Sequence, residues 1–166
     1  MRMERTFVSR RRLSNVDYLL LILKEYDKVT AFNVDDVVYI AMVAGLPIKY
    51  DFVFSSTGPK SPTLRDDILS LLAAKLIQLD PESYRYSITE KGKKVLEEIE
   101  KNIDTRTKSI LERLLRIFNG LKSEKALNRL SIYAYLKDRN KERLGAFLGQ
   151  KEGILHYRAI YDKLSP

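Results

Sequence analysis

Several groups of side chains in this sequence have the types and spacing to act on a polyanion. Arg10, Arg11 and Arg12 form an unbroken cationic triplet near the start. Lys60, Thr63 and Arg65 cluster where a helix would begin, and Tyr84 and Arg85 sit on what reads as a hairpin. Farther on, Arg139, Arg143 and Arg158, with Arg129, interleave with Tyr133, Tyr135, Tyr157 and Tyr161. Cationic side chains neutralise phosphates and release counterions, and Arg or Lys also pairs with the guanine edge. Basic residues mixed with aromatics suit a nucleic-acid surface, although a tyrosine-rich core with solvated arginines has the same composition.

Other chemistries find little support. There is no cysteine and one histidine, His156, so thiolate metal sites, ordinary zinc sites and Cys-His or Ser-His nucleophiles are excluded. Asp35-Asp36 and Asp66-Asp67 are adjacent pairs whose members point in different directions on a helix. The favourable field of a helix N-terminus accounts for them as first-turn residues. No strand carries an acidic residue followed closely by Glu-x-Lys, and Gly58-Pro59 alone matches no phosphate-cradling motif. The expectation is a protein that is not an enzyme and needs neither cofactor nor metal. No apolar run approaches about 18 residues, so no membrane span is expected. The N-terminus lacks the apolar core of a secretory signal, and a cytoplasmic location is expected.

The net charge of +8 on 166 residues is uneven. Residues 1–12 carry five arginines and one glutamate, and residues 104–166 carry 14 basic and 7 acidic side chains. Between them, residues 13–103 carry 11 basic and 14 acidic ones. The cationic character lies on both sides of a slightly acidic centre.

The elements that must position these residues follow from caps and periodicity. Residues 1–12 form a basic, flexible arm, either a solvated tail or one that lies along phosphates or in a minor groove. Ser14 or Asn15 caps a strongly apolar scaffold helix, residues 28–30 read as a short strand, and Asn33 caps a second helix stopped by Gly45. Residues 48–54 are β-prone, and residues 55–59 read as a loop. Ser61 or Thr63, with Pro62, starts a helix whose stripe is Leu64, Ile68, Leu71, Leu72 and Leu76. Its opposite face presents Asp66, Ser70, Ala73 and Ala74. Tyr84, Tyr86 and Ile88 alternate in a strand paired back onto residues 77–79 across an Asp80-Pro81-Glu82-Ser83 turn. Thr89 caps the next helix, to about Asn102.

Beyond it, Leu96, Ile103, Ile110 and Ile117 recur every seven residues, with Leu114 beside them. Ile103, Ile110, Leu114 and Ile117 can form the seam of a homodimer. Equally, Asp104 can cap a fresh helix whose stripe packs within the chain. Three shorter helices then begin at Ser123, Asp138 and about residue 151. Gly145, Leu148, Gly149 and Leu155 have the offsets of a second, simple helix-turn-helix, or belong to a helical packing appendage.

Phe52-x-Phe54, Gly58-Pro59-x-Ser61, Leu64, Asp67, Leu71, Ile77 and Tyr86-x-Ile88-Thr89-x-x-Gly92 together resemble the winged helix-turn-helix proteins of bacteria and archaea. The resemblance spans about residues 14–102. It implies a mainly α fold with a small β wing in a winged-helix domain over 13–102; the helices read beyond it make a helical extension over 103–166. It further implies a transcriptional regulator binding double-stranded DNA, with residues 63–76 as recognition helix and Tyr84 to Tyr86 in the wing. Winged-helix domains also serve as protein-interaction modules, the alternative that the acidic face of that helix suits.

Overall fold

A computed structural model describes residues 12–139 and 154–164 of the chain. Helix α1 (Asn15–Glu25) starts with a reciprocal cap: Ser14 Oγ accepts from the Asp17 N–H, and the Asp17 carboxylate accepts from the Ser14 N–H. Six consecutive side chains, Tyr18 to Leu23, are buried, so α1 is covered on every face. Helix α2 (Val34–Val43) is equally enclosed from Val34 to Ala41. It ends in a Schellman motif, with Gly45 at φ +107° and bonds from the Gly45 and Leu46 N–H groups to the Met42 and Ala41 carbonyls. Asn33 precedes α2 without capping it. Its Oδ1 accepts from the Thr30 N–H and its Nδ2 donates to the Lys28 carbonyl and to Glu124.

Strands β1 (Val53–Ser55) and β2 (Gly58–Lys60) form an antiparallel hairpin with Val53 opposite Lys60. This corrects the reading of 48–54 as the strand and 55–59 as a loop. Ile48, Tyr50 and Phe52 are buried outside any ladder, and the pairing runs through Gly58 at φ +117°. Ser61 Oγ accepts from the Leu64 N–H to start α3 (Pro62–Ala73), which turns Leu64, Ile68 and Leu71 inward. Strands β3 (Ile77–Leu79) and β4 (Tyr86–Ile88) pair in the expected register, Ile77 with Ile88 and Leu79 with Tyr86. The segment at Thr30 joins this hairpin: the Ala31 N–H donates to the Tyr84 carbonyl, and the Tyr86 N–H to the Val29 carbonyl. Thr89 then caps α4 (Glu90–Glu100), its Oγ1 accepting from the Gly92 N–H while its hydroxyl donates to the Lys75 carbonyl at 2.6 Å.

Asp104 begins a separate helix, α5 (Thr105–Gly120), through its bond from the Thr107 N–H. The seven-residue repeat is therefore divided between two helices. Helix α6 (Glu124–Arg139) follows, then α7 (Ile154–Asp162). Asp138 lies inside α6 and accepts from the Tyr161 hydroxyl, so it is not the expected cap. Helix α6 packs against α2 and β2, and α7 packs against α6. One buried cluster includes Leu19, Ile40, Ile99, Leu114, Leu130 and Leu164, so the stretch read as an extension shares the core of the preceding elements. The fold is mainly helical, with two small antiparallel sheets. Among the described residues, no helix is long and apolar enough to cross a membrane.

Candidate nucleic-acid interface

The first turn of α2 buries two carboxylates that clamp different neighbours. Asp35, with no exposed surface, accepts from the Ser61 N–H at 3.1 Å and from Arg65 Nη2 at 2.5 Å, and Lys60 Nζ lies 3.9 Å away. Arg65 also donates from Nη1 to the Ala31 carbonyl. Asp36 faces α6, where it accepts from the Ser131 hydroxyl and from Asn128 Nδ2 at 3.2 Å. Burial pushes the Asp36 carboxyl above its ordinary value, against the hydrogen bonds from Ser131 and Asn128. Adjacent helical positions face different elements, so one carboxylate holds α3 and the other holds α6.

These clamps redefine the residues expected to read DNA. Arg65 ties α3 to α2, with 41% of its side chain exposed, and Lys60 leans toward the same carboxylate. Thr63 is exposed at the start of α3. The outward face of α3 continues through Asp66, Leu69, Ser70 and Ala73, all exposed and none cationic. Asp66 and Asp67 lie past the first turn of α3, which starts at Pro62, so the helix dipole does not account for them; Asp67 instead accepts from the Tyr50 hydroxyl at 2.5 Å.

Cations gather instead beside the β3–β4 hairpin. Asp80 shapes its turn by accepting from the Ser83 hydroxyl at 2.6 Å and from the Glu82 N–H, which holds its carboxyl below the usual range. Tyr84 is set at φ +59°, its N–H bonded to the Asp80 carbonyl. Its ring meets that of Phe32 at 5.2 Å, edge to face, and both are exposed, 45% and 64% respectively.

Two adjoining grooves lie nearby, one of them lined by Phe32, and share Asn33 and Glu124. One, of about 250 Å³, is lined by Lys28, Thr30, Arg85 and Lys122 among others; the second, of about 370 Å³, by Phe32, Thr57, Lys60 and Lys125. The carboxylates in their lining are Glu124, bonded to Thr30 and Asn33, and the buried Asp36. No protein-family model matches the chain, and no curated protein matches it.

The structure thus brings Lys60, Tyr84 and Arg85 to one surface and adds Lys28, Phe32, Lys122 and Lys125. The four additions had no sequence signal, being single residues in segments of mixed sign. Arg12 is exposed ahead of α1, and Arg158 is exposed on α7. Arg139 ends α6; Arg10, Arg11, Arg143 and residues 145–149 of the second helix-turn-helix lie outside the described residues. Tyr133 is buried against Tyr161, and Tyr135 stacks on Phe54, so these three tyrosines pack internally.

The expected dimer seam is also filled from within. Ile110 and Leu114 are buried in the chain's own core, while Ile103 and Ile117 are half-buried against it. The break at residues 101–104 lets α5 fold back onto α1, which satisfies the apolar stripe intramolecularly. Elsewhere, a cavity of about 810 Å³ lies between α1, the hairpin and α4, with Leu23, Tyr86, Ile88 and Leu96 in its lining and the Lys24–Glu100 ion pair beside it.

Proposed function

We propose that this protein is a winged-helix DNA-binding protein, a transcriptional regulator that grips duplex DNA through its wing and the cationic surface beside it. The observation that carries this reading is the pair of adjoining grooves. Lys28, Lys60, Arg85, Lys122 and Lys125 meet there, and Glu124 is already engaged by Thr30 and Asn33. The order of α1, α2, α3 and the β3–β4 hairpin, with Thr30 bridged to the hairpin, supports the winged-helix assignment. In this reading α3 is chiefly a scaffold, Thr63 and Lys60 touch DNA at its start, and the Arg10–Arg12 arm adds phosphate contacts. The test is a titration of mixed-sequence duplex DNA at several salt concentrations. Affinity that falls steeply and linearly in log–log form supports the proposal. No binding at low salt sinks it.

A second reading rests on the outward face of α3, where Leu69 is 62% exposed between Asp66, Ser70 and Ala73. That apolar and acidic strip suits a protein partner. Leu69→Glu would abolish such a contact while leaving DNA affinity unchanged.

A further inference from the structure

Resting on that reading of the surface, we infer that the wing edge is a stacking platform for unpaired bases, and that the preferred ligand is DNA with a single-stranded stretch beside the duplex. Phe32 and Tyr84 come from separate segments, the turn before α2 and the hairpin turn, and meet at 5.2 Å while remaining 64% and 45% exposed. Both could be hidden or polar without harm to the core, since neither belongs to the buried cluster.

The backbone points the same way. A tyrosine at φ +59° occupies a region that non-glycine residues rarely adopt, and such strain persists only where the surroundings over-determine it. Here they do. The Tyr84 N–H donates to the Asp80 carbonyl at 2.8 Å, and the Tyr84 carbonyl accepts from the Ala31 N–H at 2.9 Å. The Asp80 carboxylate locks the same turn through Ser83 and Glu82. Phe32 is held in turn by its N–H, which donates to Thr30 Oγ1. The aromatic pair is therefore fixed in place before any ligand arrives, which lowers the ordering cost of binding.

Ligand identity follows from what lies around the rings. Lys60 and Lys125 line one groove together with Phe32, and Lys28 and Arg85, the latter next in sequence to Tyr84, line the adjoining one, so a phosphate backbone can track past the rings. In a duplex the base faces are covered by their stacked neighbours; only unpaired bases offer a face to an aromatic ring. Positively charged grooves with stacking aromatics are the general design of single-strand binding, each stacked base contributing about 1–3 kcal/mol. A tyrosine hydroxyl can contact a duplex phosphate, but the Phe32 ring beside it carries no polar atom, and an exposed phenylalanine set against Tyr84 suits a base face better than a phosphate.

The test uses the full chain and four fluorescent probes, each strand roughly 12 nucleotides long, in the range one such site covers. They are oligothymidylate, oligouridylate, a blunt mixed-sequence duplex, and that duplex with a thymidine overhang, each titrated at several salt concentrations. The expected order places the overhang duplex tightest, with oligothymidylate ahead of the blunt duplex. Phe32→Leu and Tyr84→Asn should each weaken binding of the overhang duplex and oligothymidylate roughly tenfold with an unchanged salt slope. Asn tolerates the left-handed backbone at position 84, so the second variant removes the ring and keeps the turn; equal melting temperatures confirm it. Blunt duplex bound as tightly as the overhang duplex, with both variants unaffected, overturns the stacking platform and leaves duplex binding standing. Oligouridylate bound more tightly than oligothymidylate overturns the assignment to DNA. Failure of every probe to bind at low salt overturns both.

Discussion

Arg65 of α3 donates to Asp35 of α2 across 2.5 Å, and the carboxylate it meets has no exposed surface. The same guanidinium reaches the Ala31 carbonyl with its other nitrogen. Arg65 thus fixes the start of α3 against α2, a structural task for a residue whose sequence position suggested DNA contact. Arg65→Ala should destabilise the fold by roughly 1.5–3 kcal/mol, the range for a hydrogen bond to a charged group. Arg65→Lys should restore little, because an ammonium cannot span both acceptors. Urea unfolding of the three proteins measures this, and equal midpoints would refute it.

The buried Asp36 should make stability depend on pH in a known direction. Its folded-state pKa lies above the ordinary 3.8, so the folded protein holds the proton more readily than the unfolded chain. The stability linked to the protonated form is complete below the unfolded value and is lost as pH rises through the raised one. Asp36→Asn, which keeps a neutral side chain at the site, should therefore exceed the parent in stability at pH 7. The advantage should shrink as pH falls through the raised value and be gone below the usual carboxyl range. A difference independent of pH would count against the assignment.

Gly92 is required by a close approach of backbones. A Cβ there would lie 2.1 Å from the Leu76 carbonyl oxygen and 2.8 Å from Ile88 Cγ2. The Thr89 hydroxyl holds this junction by donating to the Lys75 carbonyl. Gly92→Ala should cost about 3 kcal/mol, the upper part of the overpacking range, since the obstructing atom is main chain. Thermal melting reads the loss; an unchanged melting temperature would show that the junction relaxes freely.

Lys75 ends α3 in the left-handed region, at φ +59°, within a Schellman motif closed by the Lys75 and Leu76 N–H groups. Glycine adopts that conformation without the Cβ conflict. Lys75→Gly should stabilise the protein by about 1 kcal/mol. Chemical denaturation would detect the gain, and a loss would mean that the Lys75 side chain contributes more than its backbone costs.

Lys28, Lys122 and Lys125 should act on DNA as phosphate contacts. Replacing any one by Gln should weaken duplex binding similarly across sequences and lower the salt slope by about one. A sequence-dependent loss with an unchanged slope would instead make that lysine a reader of bases.

Local interactions are legible in the order of residues. Ser14, Ser61, Thr89 and Asp104 all cap helices at the positions their types suggest, and Gly45 stops α2. The hairpin of Ile77–Leu79 with Tyr86–Ile88 follows from alternation around a turn. These features depend on partners a few residues away, so the chain encodes them directly. The heptad of Ile103, Ile110 and Ile117 is ambiguous because an apolar stripe has the same spacing whether its partner is another copy or the chain's own α1.

Tertiary structure alone decided where the charges go. Asp35 meets Arg65 across 30 positions and Asp36 meets Ser131 across 95, so two neighbours that looked equivalent clamp different helices. Lys28, Lys60, Arg85, Lys122 and Lys125 are scattered along the sequence and share a surface only because α6 packs on α2 and Thr30 joins the β3–β4 hairpin. Short-range order is written in caps and periodicity. The assembly of a charged surface depends on which faces the buried core leaves outward, and that is a property of the whole fold.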